Sequence, residues 1–346
     1  MHHELPKIEL HAHISGCARR ETLLELAKQH ENPSVFESIP DHLRVPNLGE
    51  RTLTECFEVF KVIHDVVNTL SAVRRVTREA LEDMHADNVV YAELRTTPRA
   101  VEGEYTCEEY VDAVVDEIST FAGSDAGMQV YLLLSLNRGR PVQQASDTVD
   151  LLLRRRWPLV KGVELSGNPL VGDARDFIPA LKAARETGYC VSAHLAEVDT
   201  PVAVRETDEL LGTMCTLADG STVPLVQRLG HAALLNETQS EQVLRQRIPV
   251  EVCPTSSEKT LQLNSLREHW HLEQWLQSGH PICVCTDDSG VFDTTLSQEY
   301  DKVHRAFSDL LPDYGSLYDL SLRAVDMCFC GDNDKQRLRQ VLGALH

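Results

Sequence analysis

Four short segments of this sequence carry side chains able to bind a metal and move protons: His11-Ala12-His13, His194-Leu195-Ala196-Glu197, His231 and Thr286-Asp287-Asp288. In an extended strand alternate residues point the same way, so His11 and His13 can aim both imidazoles at one point. Three imidazoles and one carboxylate, brought from separate strand ends, suit a borderline ion such as Zn²⁺ and leave a position open for water. His11, His13, His194 and Asp287 are the expected ligands. Such an ion lowers the pKa of its water to about 7, which makes hydroxide available for hydrolysis. No lysine ends a strand where, once carbamylated, it could bridge two ions, so one zinc per subunit is expected. Each motif alone is a weak signal. With fifteen histidines in the chain, pairs arise by chance, and His2-His3 and the His269/His271 spacing read that way. An Asp-Asp pair after an apolar strand also often caps the next helix. The weight comes from all four motifs falling at the ends of different strands.

Those ends belong to eight short runs rich in Val, Ile, Leu or Cys and bounded by Gly, Pro, Asn or Asp: 7–14, 89–95, 129–136, 161–165, 189–194, 228–235, 248–253 and 281–286. They read as buried parallel strands. Helical patterns lie between them at 20–30, 106–121, 173–187 and 237–247, the first with Leu23, Leu24, Leu26 and Ala27 at helical spacing. A helical insert is expected at about 31–85, and two closing helices after Ser316. Eightfold strand–helix alternation points to a single α/β domain over 1–346, a (β/α)₈ TIM-type barrel whose active residues sit at the C-terminal strand ends. The competing reading, an open doubly wound sheet, lacks its usual G-x-G-x-x-G or G-x-x-x-x-G-K-[ST] phosphate loop.

The 346 residues include 33 Lys+Arg and 53 Asp+Glu, a formal net charge of −20. So acidic a field repels polyphosphate backbones and argues against a nucleic-acid polymer as partner, although a few arginines in a cleft can still hold a small anion. Hydrophobic content of 42% and charged content of 25% exclude disordered and fibrous classes. No apolar run opens the chain as a signal peptide would, and no uncharged stretch reaches the ~18 residues of a membrane span. The ten cysteines, with C-x-C at Cys283/Cys285 and Cys328/Cys330 and no C-x-x-C, read as reduced, buried small hydrophobes. The expectation is a soluble cytoplasmic monomer with no membrane partner.

The segments Leu5-Pro6-Lys7-Ile8-Glu9-Leu10-His11-Ala12-His13, Ser192-Ala193-His194-Leu195-Ala196-Glu197, Leu229-Gly230-His231 and Cys285-Thr286-Asp287-Asp288 resemble, in order and nearly end to end, the adenosine deaminase family. Glu93-Leu94-Arg95-Thr96-Thr97-Pro98-Arg99 and Thr286-Asp287-Asp288-Ser289-Gly290-Val291-Phe292 look most like its adenosine deaminase-like branch, the N6-methyl-AMP deaminases. The resemblance implies zinc on the four ligands named above. It gives Asp288 and His231 the tasks of orienting the attacking water and accepting its proton. Glu197 would protonate purine N1, which requires a carboxylic acid kept neutral by burial. It further implies substrate contacts from His13, Ser15, His64, Pro98, Asn137, Asp288 and the backbone of Gly167, where a glycine permits close approach.

Thr96, Thr97 and Arg99 after the second strand, with Arg138 after the third, offer hydroxyls and guanidinium groups for a phosphate. Arg99 could instead pair with a surface acid such as Glu102. The sequence departs from the branch at Ser15, where Asn is usual, at Asn137, where an acid is usual, and at Ala232-Ala233, where Gly-Thr is usual. These touch substrate preference rather than chemistry. The expected reaction is zinc-dependent hydrolysis of N6-methyl-AMP and related purine nucleoside monophosphates to IMP and an amine. The alternatives are deamination of adenosine to inosine and, more remotely, a non-catalytic nucleotide-binding protein on the same scaffold.

Overall fold

A computed structural model describes residues 2–40, 43, 53–123 and 127–344. Eight parallel strands, β1 (Lys7–His13), β2 (Val89–Thr96), β3 (Gln129–Asn137), β4 (Val160–Ser166), β5 (Cys190–Leu195), β6 (Arg228–His231), β7 (Val250–Val252) and β8 (Ile282–Val284), pair in chain order. The seam between β8 and β1 closes through Asp287: His13 N donates to its carbonyl at 2.9 Å, and its N–H donates to His11 O at 2.8 Å. The fold is therefore the expected (β/α)₈ barrel. An open doubly wound sheet would leave two unpaired edges. Closure falls on three of the expected metal ligands, so the same backbone bonds that complete the barrel set their spacing.

Local chemistry explains the helices around the barrel. Cys107–Ala122 starts at a capping box between Thr106 and Glu109, Glu237–Gln246 at one between Asn236 and Gln239, and Leu70–Ala86 at the Thr69 hydroxyl. The helices Leu70–Ala86 and Cys107–Ala122 pack together, burying Val73, Val76 and Ala80 on one and Val111, Val114 and Ile118 on the other. The insert forms helices Pro33–Glu37, Leu53–Val66 and Leu70–Ala86, with 41–42 and 44–52 outside the described residues. Tyr314–Ala324 and Asp332–Ala344 are the two closing helices. No helix among the described residues is long and apolar enough to cross a membrane.

Three departures from expectation have local causes. The run 228–235 stops as a strand at His231, because His231 and Ala232 turn left-handed at φ +60° and +49°. The pattern 173–187 divides into a 3₁₀ turn, Ala174–Phe177, and a helix, Ile178–Glu186, that carries Pro179 in its first turn. A small antiparallel hairpin, Met214–Thr216 with Thr222–Pro224, stands outside the barrel.

The barrel interior is also unusual. Barrels of this kind usually fill the interior with branched apolar layers, whereas here Glu9, Glu93, Arg95, Glu164, Arg228 and Glu251 are all fully buried. They pair internally: Arg228 Nη2 lies 2.7 Å from Glu93 Oε2, and Arg95 Nη2 lies 2.8 Å from Glu251 Oε2.

Candidate metal centre and active site

The ends of β1, β5, β6 and β8 bring the expected residues together. One donor atom from each of His11, His194, His231 and Asp287 lies within 4.8 Å of all the others. His13 joins the same cluster, its Nε2 3.2 Å from His194 Nε2 and 3.5 Å from Asp287 Oδ1, while His11 Nε2 stands 3.3 Å from that oxygen. His231 Nε2 faces the other carboxylate oxygen, Oδ2, at 4.0 Å. Glu9 secures the seam beneath: its carboxylate accepts from His11 N at 2.8 Å and from Thr286 N and Oγ1 at 3.0 and 2.8 Å.

The donor set fits a divalent metal. His11 Nδ1 lies 2.6 Å from Glu251 Oε2, so it carries the hydrogen, and the buried Nε2 is left with a lone pair and no hydrogen-bond partner. His194 Nδ1 lies 3.1 Å from Glu164 Oε2, a charge contact outside hydrogen-bond geometry. Burial lowers the pKa of His13 to about 3 and also lowers those of His194 and His231, so these three imidazoles are neutral at pH 7. The two Nε2 atoms of His13 and His194 stand 3.2 Å apart, near enough for one cation to take a lone pair from each. Tetrahedral zinc with bonds of about 2.0–2.2 Å has donor–donor edges of about 3.3–3.6 Å, close to the 3.2, 3.3 and 3.5 Å found here.

Two protonatable carboxyls border this cluster. Burial, then the charge of Asp287, raises the Glu197 pKa to about 8, and the same two causes hold Asp288 well above the ordinary range. Glu197 Oε2 and Asp288 Oδ1 are both buried without a hydrogen-bond partner. Asp288 is hemmed in by the turn Ser15–Cys17, since a Cβ at Gly16 would stand 1.6 Å from Asp288 Oδ1. Gly16→Ala must therefore displace this carboxyl. A displacement of about 1 Å can cost roughly 10²-fold in rate, so kcat is expected to fall by about that factor with metal content unchanged. Steady-state kinetics with metal analysis checks this, and a variant of wild-type kcat would free Asp288 from any such constraint. Gly230 plays the matching part for the imidazoles, because a Cβ there would lie 2.8 Å from His11 Cε1 and 3.4 Å from His194 Nδ1.

The remaining expected residues fall into two further groups. Thr96 Oγ1 lies 2.6 Å from Tyr110 Oη, and the Arg99 guanidinium sits over that ring at 5.9 Å while donating to Val67 O. His64 is exposed in the helix Leu53–Val66, and burial of its ring edge together with the Arg99 and Arg140 charges lowers its pKa. Pro98 is buried, and Thr97 and Ser15 are half-buried. Asn137 and Gly167 form the other group. Gly167 has φ +103°, and a Cβ on it would meet Asn137 Oδ1 at 2.4 Å, while that oxygen accepts from Gly139 N at 2.9 Å.

Arg138 is committed elsewhere. It forms a buried pair with Glu206, Nη1 to Oε2 at 3.0 Å and Nη2 to Oε1 at 2.5 Å, and Nε donates to Val171 O at 2.9 Å. Its charge is met by Glu206 on the helix Pro201–Gly212, which removes it from the phosphate set. Breaking a buried pair leaves an unmet charge, at a cost of about 3–5 kcal/mol. Arg138→Met is expected to lose that much stability in urea unfolding while leaving any preference for monophosphates unchanged.

Sequence reasoning missed Arg95, Glu164 and Glu251, Gly16 and Gly230 in their spacing roles, and Arg140 beside His64. The available signal was charge at alternate positions inside apolar strands, as in Glu9-Leu10-His11 and Glu93-Leu94-Arg95.

The sequence model of the adenosine deaminase family matches residues 6–344. N6-Methyl-AMP deaminase-L of Xenopus laevis is 34% identical over 342 residues, 97% of this chain and 93% of the relative. The apo N6-methyl-AMP deaminase of Arabidopsis thaliana superposes with a TM-score of 0.87 at 35% identity, covering 99% of this chain and 97% of that one. The Arabidopsis ADAL complexed with IMP does so at 0.85 and 35%, with the same coverage. A match that runs through all eight strands and every residue of the imidazole–carboxylate cluster makes the chain a member of the adenosine deaminase family.

Proposed function

We propose that this protein hydrolyses N6-methyl-AMP, and related N6-substituted purine nucleoside monophosphates, to IMP and the amine, using one zinc per subunit. The observation that carries the reading is the meeting of two protonatable carboxyls, Glu197 and Asp288, with a cluster of imidazoles, of which His13, His194 and His231 are neutral, at one barrel mouth. Relatives named N6-methyl-AMP deaminase and an ADAL solved with IMP support the substrate class.

His11, His13, His194 and Asp287 would hold the zinc, which when bound lowers the pKa of water to about 7. Glu197, neutral below about pH 8, gives its proton to purine N1 and makes C6 electrophilic. Asp288, whose raised pKa favours its protonated form, orients the water, and the neutral His231 takes up its proton. The C6–O bond forms, a tetrahedral carbon results, and the C6–N6 bond breaks as the proton taken from the water passes to the leaving amine and the C6 hydroxyl proton returns to Glu197. Gly167 offers its backbone to the purine, while Ser15 and Asn137 supply short polar groups in the same mouth. His64, Thr96, Thr97, Pro98 and Arg99 line the place for the phosphate. A reducing cytoplasm agrees with nine described cysteines that are all free.

Product analysis by mass spectrometry tests the proposal. Zinc-replete protein offered N6-methyl-AMP, AMP, N6-methyladenosine and adenosine at equal concentration is expected to form IMP fastest from N6-methyl-AMP. Inosine from adenosine with the monophosphates untouched would favour the nucleoside reading, and no product at all would favour a binding protein. Arg99→Ala is expected to reduce the preference for monophosphates by about 10–150-fold, equivalent to a charge-assisted contact of about 1.5–3 kcal/mol.

A further inference from the structure

Glu251 and Glu164, the two carboxylates that face the imidazole Nδ1 atoms, are fully buried and come from different strands. Glu251 spends both oxygens. Oε2 meets His11 Nδ1 at 2.6 Å and Arg95 Nη2 at 2.8 Å, and Oε1 accepts from Arg228 Nε and from Ser192 Oγ at 3.0 Å. Glu164 Oε2 lies 3.1 Å from His194 Nδ1 and 3.7 Å from Arg95 Nη1. Among the ion pairs of the described residues, Arg95 is the one cation that meets both carboxylates. Arg228 reaches Glu251 but turns its other arm to Glu93 at 2.7 Å. Arg95 is itself fully buried, and its Nη2 also donates to Leu10 O, the residue before His11.

We propose that Arg95 is a positioning residue for the metal centre. Its Nη2 hydrogen-bonds Glu251 and its Nη1 attracts Glu164 by charge at 3.7 Å, and those carboxylates hold the tautomer of His11 and the ring orientations of His11 and His194. The inference rests on the reading that these two histidines hold the metal. A guanidinium is suited to the task because its planar fork addresses two carboxylates at once at a fixed angle, whereas an ammonium on a flexible stem is a single point charge. Partners that orient a ligating histidine typically govern metal affinity by 10–100-fold.

Arg95→Lys keeps a buried cation but loses the fork. Metal affinity, measured by chelator competition with zinc and with Co²⁺ and followed by the cobalt absorption spectrum, is expected to fall by about 10–100-fold, with an altered cobalt band. Glu164→Gln, close to isosteric, is expected to weaken binding by a similar factor. In the double variant, the effect of the lysine should be smaller than in the wild-type background but should not vanish, because the arm of Arg95 that acts on His194 is already lost while the arm on Glu251 and His11 remains. The inference is overturned if Arg95→Lys binds either ion as tightly as wild type, or if its effect is the same with and without Glu164→Gln. Should Arg95→Lys not fold, unchanged affinity in Glu164→Gln overturns it as well. Wild-type protein that binds neither ion would defeat the metal reading itself, an outcome distinct from both.

Discussion

Replacing Glu197 by Gln is expected to lower kcat for N6-methyl-AMP by about 10³-fold or more, at the upper end of what a general acid contributes. The substitution keeps shape and hydrogen-bonding capacity and removes only the transferable proton, so KM and zinc content should stay within about threefold of wild type. The sign of the pH dependence follows from the raised pKa. Burial, and then the neighbouring Asp287 charge, push the Glu197 carboxyl up to about 8. The protonated, working form dominates below that value, so kcat declines as pH rises through it. The glutamine variant should lack this basic limb. A pH–rate profile beside metal analysis decides the matter: a kcat within tenfold of wild type, or a basic limb that survives the substitution, removes Glu197 from the proton path.

The barrel and the convergence of the imidazole–carboxylate residues at its mouth were legible in the sequence for a common reason. Each depends on a local pattern: His11-Ala12-His13 on strand alternation, and the eight strands on short apolar runs between turn residues. What escaped reading depends on contacts between strands distant in the chain. Glu251 meets His11 across 240 positions, and Arg228 meets Glu93 across 135. A charged residue in the middle of β7 gives no hint of its partner when read alone. Arg138 was misread for the same reason, since a guanidinium after a strand suits a phosphate until Glu206, 68 residues on, is found to fill both arms. The early end of β6 rests on two consecutive left-handed residues, one of them an alanine, which backbone preference alone argues against.

Five side chains compete for four places around the metal, and their edges discriminate. His11, His13 and His194 contact one another or Asp287 Oδ1 at 3.2–3.5 Å, within the range of neighbouring ligands on one metal ion. His231 instead faces Oδ2 at 4.0 Å. It is also neutral, its pKa driven down mainly by burial, and so is free to accept a proton. His13→Ala is therefore expected to weaken zinc binding by about 100-fold or more, at least the loss typical of an orienting partner. His231→Ala should retain zinc within about tenfold of wild type and lose about 10²–10⁴ in kcat, as for a general base. Removing the metal with a chelator should abolish turnover in the wild type, and added zinc should restore it. In His231→Ala, added zinc should restore nothing, because the loss lies in proton transfer rather than in the ion. Should His231→Ala release zinc while His13→Ala holds it, the ligand set becomes His11, His194, His231 and Asp287, and His13 takes the place beside the substrate. The donor atoms of that set do lie within 4.8 Å of one another, but with His231 set against Oδ2 at 4.0 Å one edge is too long for a closed tetrahedron. Asp287 would then have to turn its second oxygen toward the ion, a side-chain rotation that would lengthen its present contacts to His11 and His13 at 3.3 and 3.5 Å.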